Sequence, residues 1–161
     1  MLASLAVVAM ILSSPGALHA SATVRACSTS GLVVWLDTQG DGAAGSTYFK
    51  LKFTNQSGRT CTLKGYPGVS GIALSGHQLG SPATRSHATA ARAVRLVNGG
   101  TVAATLRIVQ AGNFPAHACR VVSASGLRVY PPGQTAARIV PFPFPACSQA
   151  GPAYLQVEAI A

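Results

Sequence analysis

Acidic residues are almost absent from this chain of 161 residues, which has three of them against twelve lysines and arginines. Asp37 and Asp41 lie close together, and Glu158 lies near the C-terminal end. Glycoside hydrolysis and most general acid–base mechanisms need carboxylates that are placed around one substrate. The scarcity of acids therefore disfavours a hydrolytic enzyme, although an active site that combines one of the aspartates with a histidine stays open.

Patterns that bind metals, phosphates or dinucleotides are also missing. The cysteines are far apart, whereas zinc ligands come in pairs about two to four residues apart. His77, His87 and His117 show no metal-ligand spacing. Residues 37–42 resemble the start of a calcium loop, but Tyr48 stands where a bidentate glutamate is required. The sequence therefore predicts no metal, no cofactor and no catalytic residue.

One apolar run occurs at the N-terminus, in residues 2–12. It is uncharged, too short to cross a bilayer and typical of the hydrophobic segment of a signal peptide. Small residues follow it, so cleavage is expected after Ala20 or Ala22. We predict a signal peptide at residues 1–22 and a single domain at 23–161. This domain has no membrane span and is secreted or extracellular, with the cell wall as a candidate location.

Four cysteines in an exported chain indicate two disulfides, because the compartment is oxidising. Three connectivities are open. Pairing Cys27 with Cys61 and Cys119 with Cys147 is favoured, since each bridge then joins elements that are near in the sequence. A lipid anchor on Cys27 is disfavoured, because Arg25 is a poor lipobox residue and lipidation would leave an odd number of thiols.

Strand patterns recur along the predicted domain. Residues 48–54 alternate large apolar side chains with lysines, which indicates an antiparallel strand with one solvated face. A turn at 55–59 leads into a return strand at 60–63, residues 32–36 read as a buried strand, and 37–46 read as a polar loop. Eight or nine such strands with little helix predict an all-β fold, an antiparallel immunoglobulin-like β-sandwich.

Prolines alternate with phenylalanines over residues 141–145. Proline cannot donate a backbone hydrogen bond, so this segment is excluded from the centre of a sheet. We expect it at an edge, with Phe142 and Phe144 packed underneath.

The formal net charge is +9. The basic residues form no run and are not interleaved with aromatic residues, so no specific nucleic-acid site is predicted. Their charge either keeps an exported protein soluble or attracts an anionic cell-wall polymer.

Several ordered motifs resemble one family. Residues 55–61 read Asn-x-Ser-Gly-x-x-Cys, 65–68 read Gly-Tyr-Pro-Gly, a Gly-Gly turn occupies 99–100, and 130–133 read Tyr-Pro-Pro-Gly. Together with the four cysteines, this order resembles an actinobacterial exported family, domain of unknown function 4232. The resemblance covers residue 27 to the C-terminus. It implies an exported or envelope-attached β-sandwich and transfers no catalytic or ligand-binding residue.

These observations favour a non-catalytic binding or structural module of the bacterial cell envelope or extracellular space. Its expected partner is an anionic cell-wall polymer or an extracellular protein. Tyr66 and Tyr130, each followed by proline, are the candidate partner-binding residues. The alternative is a secreted inhibitor of a hydrolase that presents residues 37–46 or 112–117 as a braced loop.

Overall fold

The computed structural model describes residues 23–161, so the predicted signal peptide lies outside the described residues. In this part of the chain the backbone forms eleven strands, one four-residue helix and two 3-10 turns. The strands are β1 (Leu32–Ala43), β2 (Ser46–Asn55), β3 (Cys61–Lys64), β4 (Gly68–Ile72), β5 (Gln78–Leu79), β6 (Thr84–Arg85), β7 (Ala93–Leu96), β8 (Thr101–Val109), β9 (Val121–Tyr130), β10 (Arg138–Cys147) and β11 (Leu155–Val157). The helix α1 is Ala116–Cys119, and the 3-10 turns are Thr29–Gly31 and Ala111–Asn113.

The prediction of a mainly β chain with two disulfides is confirmed, and the predicted count of eight or nine strands is wrong. β5 and β6 have two residues each, which is too short for a period-two pattern to appear in the sequence. Among residues 23–161, no helix has the length and apolar character that crossing a bilayer requires.

The strands form three sheets. The largest has the order β1-β2-β8-β11-β6, in which the first four strands are antiparallel and β6 runs parallel to β11. A second sheet has the order β10-β9-β4-β5, and a small third sheet pairs β3 with β7. Sequence neighbours therefore often belong to different sheets.

Side chains from the two larger sheets share one hydrophobic core. On β2, Phe49, Leu51 and Phe53 are buried while Lys50 is exposed, which confirms the period-two prediction for this strand. Phe49 meets Phe142 of β10 edge to face, with 5.0 Å between the ring centroids. Aromatic pairs of this geometry stabilise the contact between the sheets beyond their burial.

Two predictions for β1 are wrong. Residues 32–36 are not uniformly buried, because Val33 and Trp35 are 44% and 40% exposed. Residues 37–46 are not a loop: β1 continues to Ala43, with a register shift between Asp37 and Asp41. β1 is an edge strand with one face in solvent. Successive side chains of a strand point to opposite faces, so every second residue is exposed even though the local sequence is apolar.

The return strand predicted at 60–63 does not pair with β2. Both sides of β2 are occupied, by β1 and by β8, so β3 pairs with β7 instead. Asn55, at the end of β2, connects β2 to the strands of the small sheet. Its buried amide donates to the carbonyls of Arg59, Leu96 and Val97 at 2.7, 3.0 and 3.1 Å.

The proline-rich segment lies where the sequence predicts. β10 is the edge strand of its sheet, Phe144 is buried, Phe142 is half-buried, and the three prolines between 141 and 145 are exposed. An edge strand needs no donor on its open side, so the prolines cost the sheet no hydrogen bond.

The two disulfides join Cys27 to Cys61 and Cys119 to Cys147. The first attaches the segment before β1 to β3, and its neighbour Ala26 bridges Thr62. The second attaches α1 to the end of β10. All four cysteines are buried, at 3% exposure or less.

Candidate functional site

Five exposed basic residues gather around the small sheet of β3 and β7. Cys61, Leu63 and Leu96 point into the core, so Lys64 and Arg95 lie on the outer side of this sheet. Arg59 and Arg92 closely precede the two strands, and Arg25 is held beside β3 by its backbone. We call this group the cationic surface: Arg25, Arg59, Lys64, Arg92 and Arg95.

Backbone pairing places these residues together although the sequence scatters them. Thr62 lies opposite Arg95, and its N–H donates to the carbonyl of Arg25 at 2.9 Å. The turn that carries Arg59 is bound to the other side of the small sheet, because the Gly58 N–H donates to the Asn98 side chain at 2.9 Å. No aspartate or glutamate occurs between residues 42 and 157, so no acid from these segments neutralises the surface.

Tyr66, one of the two predicted partner-binding residues, continues the cationic surface two residues beyond Lys64. Its hydroxyl lies 3.0 Å from Nδ1 of His87, and the two rings meet edge to face. The guanidinium of Arg85 lies 5.4 Å from the centre of the tyrosine ring, a cation–π contact. The nearby carboxylate of Glu158 accepts a hydrogen bond from Thr89 at 2.8 Å.

Tyr130, the second predicted residue, lies apart from this cluster in the pairing of β4 and β9. It is half-buried and stands opposite Gly68. A Cβ atom at Gly68 would be in ordinary van der Waals contact with the Tyr130 side chain, so the two residues are close neighbours. Pro131 and Pro132, which follow it, are buried. Tyr130 is therefore half-buried at this strand end, whereas Tyr66 is the candidate residue that lies beside the cationic surface.

The solvent side of the five-stranded sheet carries a different set of side chains. The cross-strand register aligns Trp35 with Lys52, and Asp37 with Lys50. On the other side of β2, Lys50 is opposite Thr105 and Tyr48 is opposite Arg107. We call these outward residues the sheet face: Trp35, Asp37, Tyr48, Lys50, Lys52, Thr54, Thr101, Thr105 and Arg107.

Polar contacts hold the side chains of the sheet face in place. Lys52 Nζ donates to Asp37 at 2.7 Å and lies 4.5 Å from the centre of the Trp35 ring. The Trp35 N–H donates to Thr54 Oγ1 at 3.2 Å, and that oxygen lies 2.8 Å from Thr101 Oγ1. The hydrogen bond from Lys52 and the Gln39 backbone N–H lower the pKa of the Asp37 carboxyl, so Asp37 stays ionised at neutral pH.

Sequence reasoning missed the sheet face. The sequence predicts Lys50 and Lys52 on the solvated side of their strand, but it places Trp35 in a buried strand and so does not unite these residues in one face. The alternation of Tyr48, Lys50 and Lys52 was a usable signal, because period-two residues lie on one side of a strand. The partner strands that bring Trp35 and Arg107 beside them follow from pairing, which that pattern does not specify.

The two segments considered as inhibitor loops contact each other. The tip of the β1–β2 hairpin is Ala44 and Gly45, and Gly45 has a φ of +76°, a conformation that favours glycine. The Gly45 carbonyl accepts hydrogen bonds from the Gln110 N–H and the Asn113 side chain, both at 2.9 Å. The hairpin tip is therefore attached to the segment before α1.

Among the residues that the structure describes, the histidines, the acidic residues and the cavity between the sheets do not form a site together. In the described part of the chain no group of three or more histidine, cysteine, aspartate and glutamate residues could hold a metal ion. An apolar cavity of about 220 Å³ opens between the sheets, and Phe49, Phe142 and Phe144 line it without any titratable neighbour. Within residues 23–161, no histidine is hydrogen-bonded to a carboxylate; His87 contacts Tyr66 instead.

Neither a curated protein nor a solved structure matches this chain. The family described as Domain of unknown function (DUF4232) matches residues 27–161, which is nearly all of the part that the structure describes. The match begins at Cys27 and includes both disulfides, the Asn55 turn and the Tyr66 segment. The chain therefore belongs to the DUF4232 family.

Proposed function

We propose that this protein is an exported, non-catalytic binding module of the bacterial cell envelope, and that it binds an anionic polymer through the cationic surface. The domain that carries the surface is an immunoglobulin-like β-sandwich in this proposal. The proposal rests on the grouping of five exposed basic residues around β3 and β7. The segments that carry β3 and β7 contain no aspartate or glutamate.

The physical basis is a local excess of positive charge. Among residues 23–161, Glu158 is the one acidic side chain brought near the five basic residues, by the backbone hydrogen bond from Ile160 to Gly65. Exposed lysine and arginine side chains are favourable partners for a chain of phosphates or carboxylates, because the polymer can contact several of them at once. Tyr66 adds a half-buried amphipathic ring beside Arg85 and His87, and such a ring suits a contact with the non-ionic part of the polymer. Two buried disulfides favour an extracellular environment for the domain.

The test is sedimentation of the purified domain with isolated cell wall, together with a titration of soluble polyphosphate as a reference polyanion. We expect binding that weakens as salt rises, because exposed charges are screened. Replacing Lys64→Gln together with Arg95→Gln should weaken binding about thirtyfold, since each basic residue near an anionic surface contributes about 1 kcal/mol.

The matched control is the double variant Lys50→Gln and Arg107→Gln. It removes the same two charges from the molecule, but takes them from the sheet face. We expect its affinity for polyphosphate to stay within about twofold of the unmodified protein. Equal losses in both double variants would mean that only net charge matters, and the proposal of a specific surface would then be wrong. Absence of binding to both cell wall and polyphosphate would also contradict it.

A further inference from the structure

The sheet face has the properties of a second binding site, separate from the cationic surface. We propose that it binds an uncharged oligosaccharide, with Trp35 as the main contact. This inference uses none of the residues of the cationic surface, so either proposal can fail without the other. It rests on the charge balance of the sheet face, on its outward-facing aromatic residues and on its hydroxyl groups.

Charge balance argues against a polyanion at this position. The sheet face has three basic side chains, and β1 brings both aspartates of the chain to the same sheet. Asp37 accepts a hydrogen bond from Lys52, so this pair is already neutralised. Asp41 stands opposite Tyr48 at the far end of β2. Lys50 and Arg107 are thus the basic side chains left for a polyanion here, against five in the cationic surface, and Asp41 opposes its binding.

Outward-facing aromatic rings supply the apolar contact that a sugar needs. Trp35 is 40% exposed, although burial of its ring would favour folding, and Tyr48 is half-buried. The C–H groups on one side of a pyranose ring are apolar and slightly positive, so the electron-rich indole face attracts them. Tyr48 lies four positions along β2 from the residue opposite Trp35, at a distance of about 14 Å for an extended strand. A short oligosaccharide, and not a single sugar, spans that distance.

Hydroxyl and amine groups lie along the line of the two rings: Lys50 and Thr105 between them, and Thr54 and Thr101 beyond Trp35. These groups match the chemistry of sugar hydroxyls. Thr54 and Thr101 share a hydrogen bond of 2.8 Å, and Lys50 donates to Thr105 at 3.1 Å. A threonine hydroxyl both donates and accepts, as a sugar hydroxyl does. Because these side chains are already held by one another, a ligand would lose little affinity to their ordering.

A second copy of the same chain is a poorer occupant. The formal charge of +9 makes two copies repel each other, and the polar contacts of the sheet face leave only Val33 and Trp35 as large exposed apolar groups on β1. Dimerisation through this face is accordingly an outcome that would count against the proposal.

The experiment uses intrinsic fluorescence, because Trp35 is the only tryptophan of the chain. The protein is titrated with hexamers of β-1,4-linked glucose, β-1,4-linked N-acetylglucosamine and α-1,4-linked glucose, at low and at high salt. We expect at least one hexamer to shift or quench the emission in a saturable way that salt does not abolish. Calorimetry with that hexamer should show at least a tenfold loss of affinity for Trp35→Ala and for Tyr48→Ala.

Leu74→Ala is the control, because it removes an exposed apolar side chain outside the sheet face, in the turn between β4 and β5. It should bind the hexamer as the unmodified protein does. Three results would overturn the inference: no response to any hexamer from folded protein, a response only to polyphosphate that high salt removes, or a concentration-dependent dimer that accounts for the emission change. If Trp35→Ala fails to fold, Tyr48→Ala and the emission of the unmodified protein still decide the question.

Discussion

Asn55 shows how much one polar side chain contributes to this fold. Its side chain is fully buried, and its amide group donates hydrogen bonds to three carbonyls. Its Oδ1 accepts hydrogen bonds from the N–H and the hydroxyl of Ser57 at 3.0 and 2.7 Å. Every polar atom of Asn55 is therefore satisfied inside the protein. This network joins the end of β2 to the turn before β3 and to the end of β7.

We expect Asn55→Ala to lower the free energy of unfolding by about 3 kcal/mol, since it leaves buried carbonyls without donors. Urea unfolding followed by circular dichroism measures the change. Gln56→Ala is the control, because Gln56 is exposed and should change stability by less than about 0.5 kcal/mol. Equal stability of the Asn55 variant and the unmodified protein would show that water or other groups replace the amide.

Trp35 illustrates the limit of reading single residues from sequence. An uninterrupted apolar segment indicates burial, and Trp35 lies in one, yet the ring is exposed. The alternation at residues 48–54 was read correctly because its polar residues mark the solvent side. In β1 no such polar residue occurs before Asp37, so the face of Trp35 follows only from its pairing with Lys52.

At the scale of elements, Tyr154 joins the two large sheets. It directly precedes β11 of the five-stranded sheet, and its hydroxyl donates to the carbonyl of Leu79 in β5 at 2.7 Å. Its ring also packs 6.5 Å from that of Phe144 in β10. Gly71 is required beside it, because a side chain there would collide with the tyrosine hydroxyl.

Burial raises the pKa of Tyr154 from its usual 10.0 to about 12. Below pH 10 the phenol is protonated in both the folded and the unfolded state, so its contribution to stability is constant. Between pH 10 and 12 the unfolded state loses this proton while the folded state keeps it. The free energy of unfolding should therefore fall as pH rises, by up to about 1.4 kcal/mol per pH unit from this group.

Urea unfolding at several pH values between 8 and about 12 measures this slope. Tyr154→Phe is the control variant, because it has no ionisable group at this position and should show a flatter dependence over the same interval. An unchanged slope in Tyr154→Phe would mean that other groups cause the alkaline loss of stability.

Strand positions were more predictable than strand partners. Local composition predicts the core face of β2, the edge position of β10 and the hairpin between β4 and β5. The partner of β3 does not, because pairing depends on which edges are free once the other strands have assembled. The parallel pair of β6 and β11 joins residues about seventy positions apart, and two-residue strands carry no pattern.

At the scale of the whole molecule, the disulfides close loops of 34 and 28 residues. Loops of this size contribute about 3.5 kcal/mol each by restricting the unfolded chain. We expect the double variant Cys119→Ser and Cys147→Ser to lose about 3.5 kcal/mol of free energy of unfolding. Typical domains have a total of about 5–15 kcal/mol, so this loss is a large share.

Guanidinium unfolding of the oxidised double variant and of the unmodified protein measures the loss. Mass spectrometry under non-reducing conditions confirms that the Cys27–Cys61 bond is intact in both samples. A double variant with the same midpoint and slope as the unmodified protein would contradict the prediction.

Charge is distributed unevenly over the folded molecule. Twelve basic residues are spread along the sequence, but pairing gathers five of them around β3 and β7 and puts both aspartates in β1. The candidate surfaces thus differ in charge because of topology. Tyr66 was selected from the sequence as an aromatic residue before proline, and the structure adds its basic neighbours Arg85 and His87.

Composition and local pattern by themselves determined the class of this protein: a β-rich chain with two disulfides, turn residues between short strands and very few acids. These properties depend on short segments or on total composition, so they can be predicted from the sequence. Only the tertiary structure decided which residues share a surface. Cross-strand neighbours are far apart along the chain, and strand pairing brings them within contact distance. The pairing of β3 with β7 forms the cationic surface, and the pairing of β2 with β1 and β8 forms the sheet face.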